Sequence, residues 1–144
     1  MSYNLFLDDF RRPEDAFNYM GLPIYNLEDW VVVRNYYAFI SVIQGKGIPE
    51  VISFDHDLAD EHYKEQDFDY DAPDYEKTGY HCAKWLIDYC LDNEKELPKR
   101  IIVHSMNPYG SMNIKSLFES FYKVHGQPVN HAANPILLNP SFRY

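Results

Sequence analysis

Positive charge is scarce in this sequence. Its 144 residues carry 13 Lys and Arg against 22 Asp and Glu, a formal net charge of −9. A general coat for duplex nucleic acid needs clustered Lys and Arg against the phosphates, so that class of function is excluded. Long apolar runs are also missing. No stretch approaches the ~18–20 residues that a membrane span requires. The opening Met1-Ser2-Tyr3-Asn4-Leu5 has no basic segment, and its apolar run stops at Asp8-Asp9, so no secretory leader is expected. Cysteine is limited to Cys82 and Cys90. Eight residues apart on one predicted helix, they stand ~12 Å apart at a rise of ~1.5 Å per residue, too far for a disulfide. They read as small core residues of a protein in a reducing cytoplasm.

Apolar and aromatic residues are plentiful. At 46% apolar and 17% aromatic, with 13 Tyr, the chain can fill a core, which excludes disorder as its main state. The length suits one domain spanning residues 1–144. The acidity is uneven. Between Asp60 and Glu76 stand eight acids and one base, which accounts for most of the net charge. Residues 59–77 therefore read as an acidic insertion, and Tyr63, Phe68, Tyr70 and Tyr75 interleave it with rings that could cover a site or meet a protein partner. Asp67, Asp69 and Asp71 resemble the opening of a calcium loop. Ala72 stands where such a loop needs Gly, and Thr78 where it needs Glu, so calcium is not expected there.

Outside that segment strands and helices alternate. Predicted strands are Tyr3–Leu7, Trp30–Arg34, Val51–Phe54 and Ile101–Val103. The Trp-Val-Val-Val-Arg run reads as a parallel strand buried on both faces. Glu14–Tyr19 reads as a short helix. A second helix carries the stripe Tyr36, Phe39, Ile40 and Ile43, with Gly45 and Gly47 as stop signals. A third opens at Thr78-Gly79 with the stripe Ala83, Leu86, Ile87, Cys90 and Leu91. A fourth starts near Ser111 with the stripe Ile114, Leu117, Phe118, Phe121 and Tyr122. The proline-rich tail from about residue 127 leaves room for one edge strand, near Val129 or at Ile136–Leu138. This alternation predicts an α/β fold with right-handed crossovers and a parallel sheet covered on both faces.

In such a sheet the site lies beyond the carboxyl ends of the strands. Three strand ends carry reactive groups there: Asp8 and Asp9; Asp55, His56 and Asp57; His104, Ser105 and Asn107. Crowded carboxylates either raise each other's pKa or hold a cation. Hard oxygen donors with few imidazoles suit Mg²⁺ or Mn²⁺, so Asp8, Asp9, Asp55 and Asp57 are the candidate ligands of a divalent cation, most simply Mg²⁺. His56 and His104 are the candidate acid and base, and Asp55 is placed with them as a catalytic candidate. Arg11 and Arg12 could clamp a phosphate, and Ser105 and Asn107 could add hydrogen bonds to its oxygens. Thr78, at the start of the third helix, is grouped with these substrate-binding candidates.

The segments Leu5–Arg12-Pro13, Ile52–Leu58, Thr78-Gly79 and Ile102–Pro108 together resemble the cyclic-phosphate-processing receiver-like domains, a divergent branch of the response-regulator receiver superfamily. The likeness runs from about Leu5 to Phe121. It implies a receiver or flavodoxin-like three-layer fold with a sheet of four to five strands in the order 2-1-3-4(-5). It also implies that Asp8 and Asp9 match the acid pair that holds Mg²⁺ in receivers, Asp55 the phosphoacceptor position and Ser105 the Ser/Thr of the fourth strand. Receivers carry a Lys after the fifth strand, and this chain has none beyond Lys123. That departure speaks against phosphorelay. The expected substrate is a cyclic phosphate on a nucleotide or RNA end, opened or hydrolysed with His56 and His104; the alternative is a non-catalytic module that sequesters a nucleotide or docks a protein.

Overall fold

The computed structural model describes residues 2–27, 29–58, 77–126 and 136–140. Along the chain these form β1 (Asn4–Leu7), α1 (Pro13–Met20), a 3₁₀ turn (Pro23–Asn26), β2 (Trp30–Val33), α2 (Tyr36–Lys46), β3 (Val51–Phe54), α3 (Gly79–Asp92), β4 (Arg100–Val103), α4 (Pro108–His125) and β5 (Ile136–Leu138). The sheet has the order β2-β1-β3-β4-β5, and every pairing in it is parallel. This is the expected receiver or flavodoxin-like topology, with the fifth strand present. The acidic insertion, apart from Lys77, and the tail from 127 to 135 and beyond 140 lie outside the described residues.

Strand alternation sorts the apolar side chains into two cores. Leu5, Leu7, Ile52, Phe54, Ile101 and Val103 point to the face covered by α2, α3 and α4, where they meet Phe39, Ile43, Ala83, Leu86, Ile114 and Phe118. Phe6, Val51 and Ile102 point to the other face, against Ala16 and Met20 of α1 and Tyr25 of the 3₁₀ turn. Both cysteines are free and buried in α3, as their spacing predicts. No described helix is long and apolar enough to cross a membrane.

Four local expectations need correction. β2 is an edge strand, and Trp30, Val31 and Val32 are only half-buried; an apolar run alone does not distinguish a central strand from an edge one packed on one neighbour. Gly45 lies inside α2, which ends at Gly47, where φ of 91° releases the chain and the amide closes on the Ile43 carbonyl. α4 begins at Pro108, a turn before Ser111. Asn107 caps it by accepting a 3.0 Å hydrogen bond from the Gly110 amide, and proline suits the first helical position. Leu91, placed on the buried stripe of α3, is exposed. Of the two edge-strand candidates, Ile136–Leu138 is the one that pairs with β4, and Val129 lies outside the described residues.

Phe54 packs between Phe39 and Phe118, with ring centroids at 5.8 and 5.7 Å, and is fully buried. Phe54→Ala is expected to cost about 3–5 kcal/mol of unfolding free energy. Tyr37→Ala, at a side chain that is 74% exposed, should stay within about 0.5 kcal/mol of wild type. Chemical denaturation of both variants checks the assignment of the core.

Candidate functional site

The register of the sheet decides which strand-end residues meet. Phe6 pairs with Ser53, and Ser53 with Ile102. One further rung of backbone hydrogen bonds continues past the strands, from the Asp55 amide to the Leu7 carbonyl at 2.9 Å and from the His104 amide to the Phe54 carbonyl at 2.9 Å. Two residues beyond Phe6, Ser53 and Ile102 stand Asp8, Asp55 and His104, on the same side of the sheet. Ligand atoms of these three buried residues lie within 4.8 Å of one another.

Asp8 is held from several directions. Its Oδ1 accepts from the Phe10 and Arg11 amides at 3.0 and 2.9 Å, and its Oδ2 faces His104 Nε2 at 2.9 Å and Arg11 Nη1 at 3.5 Å. Burial pushes this carboxyl up, but the hydrogen bond and charge of His104 and the two amides outweigh burial and leave it at about 2. Asp9 has no comparable support. Burial and then the Asp8 charge raise it to about 6. Asp55 is raised well above the ordinary carboxylate value by burial first and the Asp8 charge second. Burial pulls His104 below its ordinary value, against the hydrogen bond and charge of Asp8, which raise it. The ring lies flat on Phe6, with centroids 4.4 Å apart and planes within 6°.

Two carboxylate oxygens here, Asp9 Oδ1 and Asp55 Oδ2, are buried without a hydrogen-bond partner. A buried charged oxygen without a donor is expensive. Hard oxygens with that deficit, beside an ionised Asp8, fit a divalent cation such as Mg²⁺.

The remaining strand-end candidates lie elsewhere. Asp57 spends both oxygens away from this group, Oδ1 on His56 Nδ1 at 3.0 Å and Oδ2 on Asn107 Nδ2 at 3.2 Å. His56 has the opposite strand parity from Asp55, and its buried ring packs on the first turn of α4. It therefore does not face His104 as a paired acid and base. Ser105 is buried, and its Oγ accepts from the Asn107 amide at 3.1 Å. Thr78 is buried at the start of α3, where its amide donates to His81 Nδ1 at 2.9 Å. Arg11 leans over the Phe10 ring at 4.5 Å with its guanidinium beside Asp8. Arg12 is 68% exposed and pairs with Glu14 at 3.8 Å, turned out of the group.

Two glycines allow helices to approach this closely. A β-carbon at Gly79 would stand 1.8 Å from the Asp55 carbonyl oxygen, and one at Gly110 would stand 2.3 Å from the His56 ring. The Gly79 amide donates to the His56 carbonyl at 2.7 Å, which ties the start of α3 to the loop that carries Asp55.

Ser53 and Tyr25 were not singled out from the sequence. Ser53 Oγ lies 2.6 Å from His104 Nδ1 and 2.8 Å from the Tyr25 hydroxyl, all buried. The available signal was one hydroxyl inside the apolar strand Val51-Ile52-Ser53-Phe54, two residues before Asp55. Tyr25 had none, because it arrives from a turn remote in sequence.

A parallel 2-1-3-4-5 sheet with acids crowded at the ends of its first and third strands defines a receiver-like α/β domain. The profile of the cyclic-phosphate processing receiver domain matches residues 3–120, and the chain belongs to that family. No curated protein matches it. A solved structure of a yeast Spc42 trimeric coiled coil fused to another structure is 13% identical, with a TM-score of 0.48 over 98% of this chain and 70% of that one. A likeness that slight adds nothing to the fold already described.

Asp9 and Asp55 bind their protons more tightly folded than unfolded, so their contribution favours the folded state at low pH and is lost as pH rises. For Asp9 the window runs from the ordinary value of 3.8 to about 6. Asp8 has the opposite sign, and its contribution is lost as pH falls from 3.8 toward about 2. Without divalent ions, unfolding free energy should therefore fall between about pH 4 and 6, and Asp9→Asn should flatten that fall. Excess Mg²⁺ should also flatten or reverse it. Denaturation curves across pH with and without Mg²⁺ measure both effects. Separately, Gly110→Ala should cost about 1–3 kcal/mol through overpacking and shift the His56 ring resonances more than those of His104.

Proposed function

We propose that this domain hydrolyses or opens a cyclic phosphate on a nucleotide or RNA end, using a divalent cation held by Asp8, Asp9 and Asp55. The observation that carries this reading is the pair of buried, unpartnered oxygens Asp9 Oδ1 and Asp55 Oδ2 beside the ionised Asp8. Membership of the cyclic-phosphate processing receiver family supports the substrate class. When bound, the cation would supply charge neutralisation at the phosphate and acidify water.

The chain's own groups divide the rest of the work. Arg11 stands at the edge of the cluster and offers the cation of the site to a phosphate oxygen. Asn107 and Ser105, tied together at the start of α4, fix the loop that follows β4. His56 and Asp57 pair at 3.0 Å beneath that same turn. In hydrolysis, water oxygen bonds to phosphorus, one ring P–O bond breaks, and the departing oxygen takes a proton, which leaves a phosphomonoester. Two free buried cysteines accord with a cytoplasmic setting.

A second reading is favoured by one observation. Both His56 and His104 are buried, so neither ring stands open to an incoming ligand. On that reading the domain binds a cyclic nucleotide without turning it over.

One screen separates the two. The 2′,3′-cyclic and 3′,5′-cyclic nucleotides, incubated with and without Mg²⁺, should give a Mg²⁺-dependent phosphomonoester product by chromatography. Asp55→Asn should reduce that turnover by about 100-fold or more. Undiminished turnover in a folded Asp55→Asn protein would overturn the catalytic assignment. Calorimetric binding with no product would establish the binding module instead.

A further inference from the structure

A hydrogen-bonded chain runs beneath the acid cluster: Tyr25 hydroxyl to Ser53 Oγ at 2.8 Å, Ser53 Oγ to His104 Nδ1 at 2.6 Å, and His104 Nε2 to Asp8 Oδ2 at 2.9 Å. Ser53 and His104 have no exposed surface, and Tyr25 has almost none. Ser53 is a costly residue at this position, because its neighbours across the strands are Phe6 and Ile102.

The contact between His104 and Asp8 is ambiguous by itself. A separation of 2.9 Å suits an N–H donor on a carboxylate, and it also suits two ligands of one octahedral cation at ~2.1 Å each. The far end of the chain resolves it. The buried Tyr25 hydroxyl must donate somewhere, and Ser53 Oγ is its hydrogen-bond partner. Burial keeps that phenol protonated. Ser53 accepts from Tyr25, so its own proton goes to His104 Nδ1. Nδ1 is then an acceptor, the ring proton sits on Nε2, and Nε2–H points at Asp8. With the ring proton on Nδ1 instead, Ser53 Oγ would accept from both Tyr25 and His104, its own proton would have no place in the chain, and a bare Nε2 lone pair would face a carboxylate oxygen.

We infer that Tyr25 and Ser53 are positioning residues that fix His104 as an Nε2–H donor to Asp8, so that His104 orients a carboxylate of the cation site instead of ligating the cation. Its Nε2 lone pair is engaged by the proton, and its face is covered by Phe6. The Tyr19 hydroxyl donates to the His104 carbonyl at 2.9 Å and holds the backbone beside it. Which nitrogen of a His carries the proton is set by the hydrogen bond that the other nitrogen makes. Asp8 is then kept as an oriented anion of the site, and the unpartnered oxygens of Asp9 and Asp55 complete the cation site with it.

The tautomer is measurable on the metal-free protein, independently of any turnover. Ring ¹⁵N–¹H correlation spectra at neutral pH should show His104 protonated at Nε2, with Nδ1 as a hydrogen-bonded acceptor. Ser53→Ala should move the Nδ1 resonance toward that of a free acceptor, and Tyr25→Phe should move it less in the same direction. If Ser53→Ala does not fold, the milder Tyr25→Phe carries the comparison. Protonation at Nδ1 in wild type, or an Nδ1 resonance that neither variant moves, overturns the inference. A second measurement rests on the cation reading above. Mn²⁺ bound to wild-type protein should show no directly coordinated nitrogen by pulsed electron paramagnetic resonance. A nitrogen coupling that disappears in His104→Gln would make His104 a ligand and overturn the inference, while failure of Mn²⁺ to bind at all would sink the cation reading and leave the tautomer result standing.

Discussion

The crowding of ionisable groups at the end of one face of the sheet governs much of this structure. Asp8, Asp55 and His104 follow Phe6, Ser53 and Ile102 in register, and strand parity brings their side chains together whether or not they repel. Each of the surrounding features answers that constraint. Backbone amides of Phe10 and Arg11 and the His104 ring stabilise Asp8 as an anion. Arg11 supplies the nearby positive charge. Asp9 and Asp55 are left with raised affinity for protons, because burial and the Asp8 charge disfavour their ionised forms.

The two faces of the sheet carry different parts of the site. On the α1 side, aromatic and hydroxyl groups build a rigid floor: Phe6 stacked on His104, and Tyr25 and Ser53 below it. On the α4 side, His56, Asp57 and Asn107 link the β3 loop to the first turn of a helix. That side depends on close approach, and Gly79 and Gly110 permit it where any side chain would displace Asp55 or His56. The acid group is therefore bounded by stacked rings on one side and by two helix starts on the other.

Much of this was legible in the sequence. Leu5-Phe6-Leu7 ending at Asp8-Asp9 and Val51–Phe54 ending at Asp55 mark two strands and their reactive ends without any three-dimensional information, because apolar runs and abrupt polar stops follow from burial. Strand–helix alternation implied a parallel sheet, and the resemblance to receiver-like domains implied the order 2-1-3-4(-5). The expectation that Asp57 and His56 join Asp8 and His104 went beyond what local pattern could carry. Side chains alternate, and past the strand end the backbone bends, so Asp57 turned to His56 and Asn107.

The sequence by itself determined the elements, their order and the acids available at the rim, since these depend on local periodicity and on where apolar runs stop. Tertiary structure decided which of those groups share a space. Register selects Asp8, Asp55 and His104 as one row, edge position leaves β2 half-exposed, and a residue 79 positions upstream, Tyr25, sets the far end of the chain that holds His104. Such contacts arise from packing elements that are distant along the chain, and no local pattern encodes which side chains they bring within 3 Å.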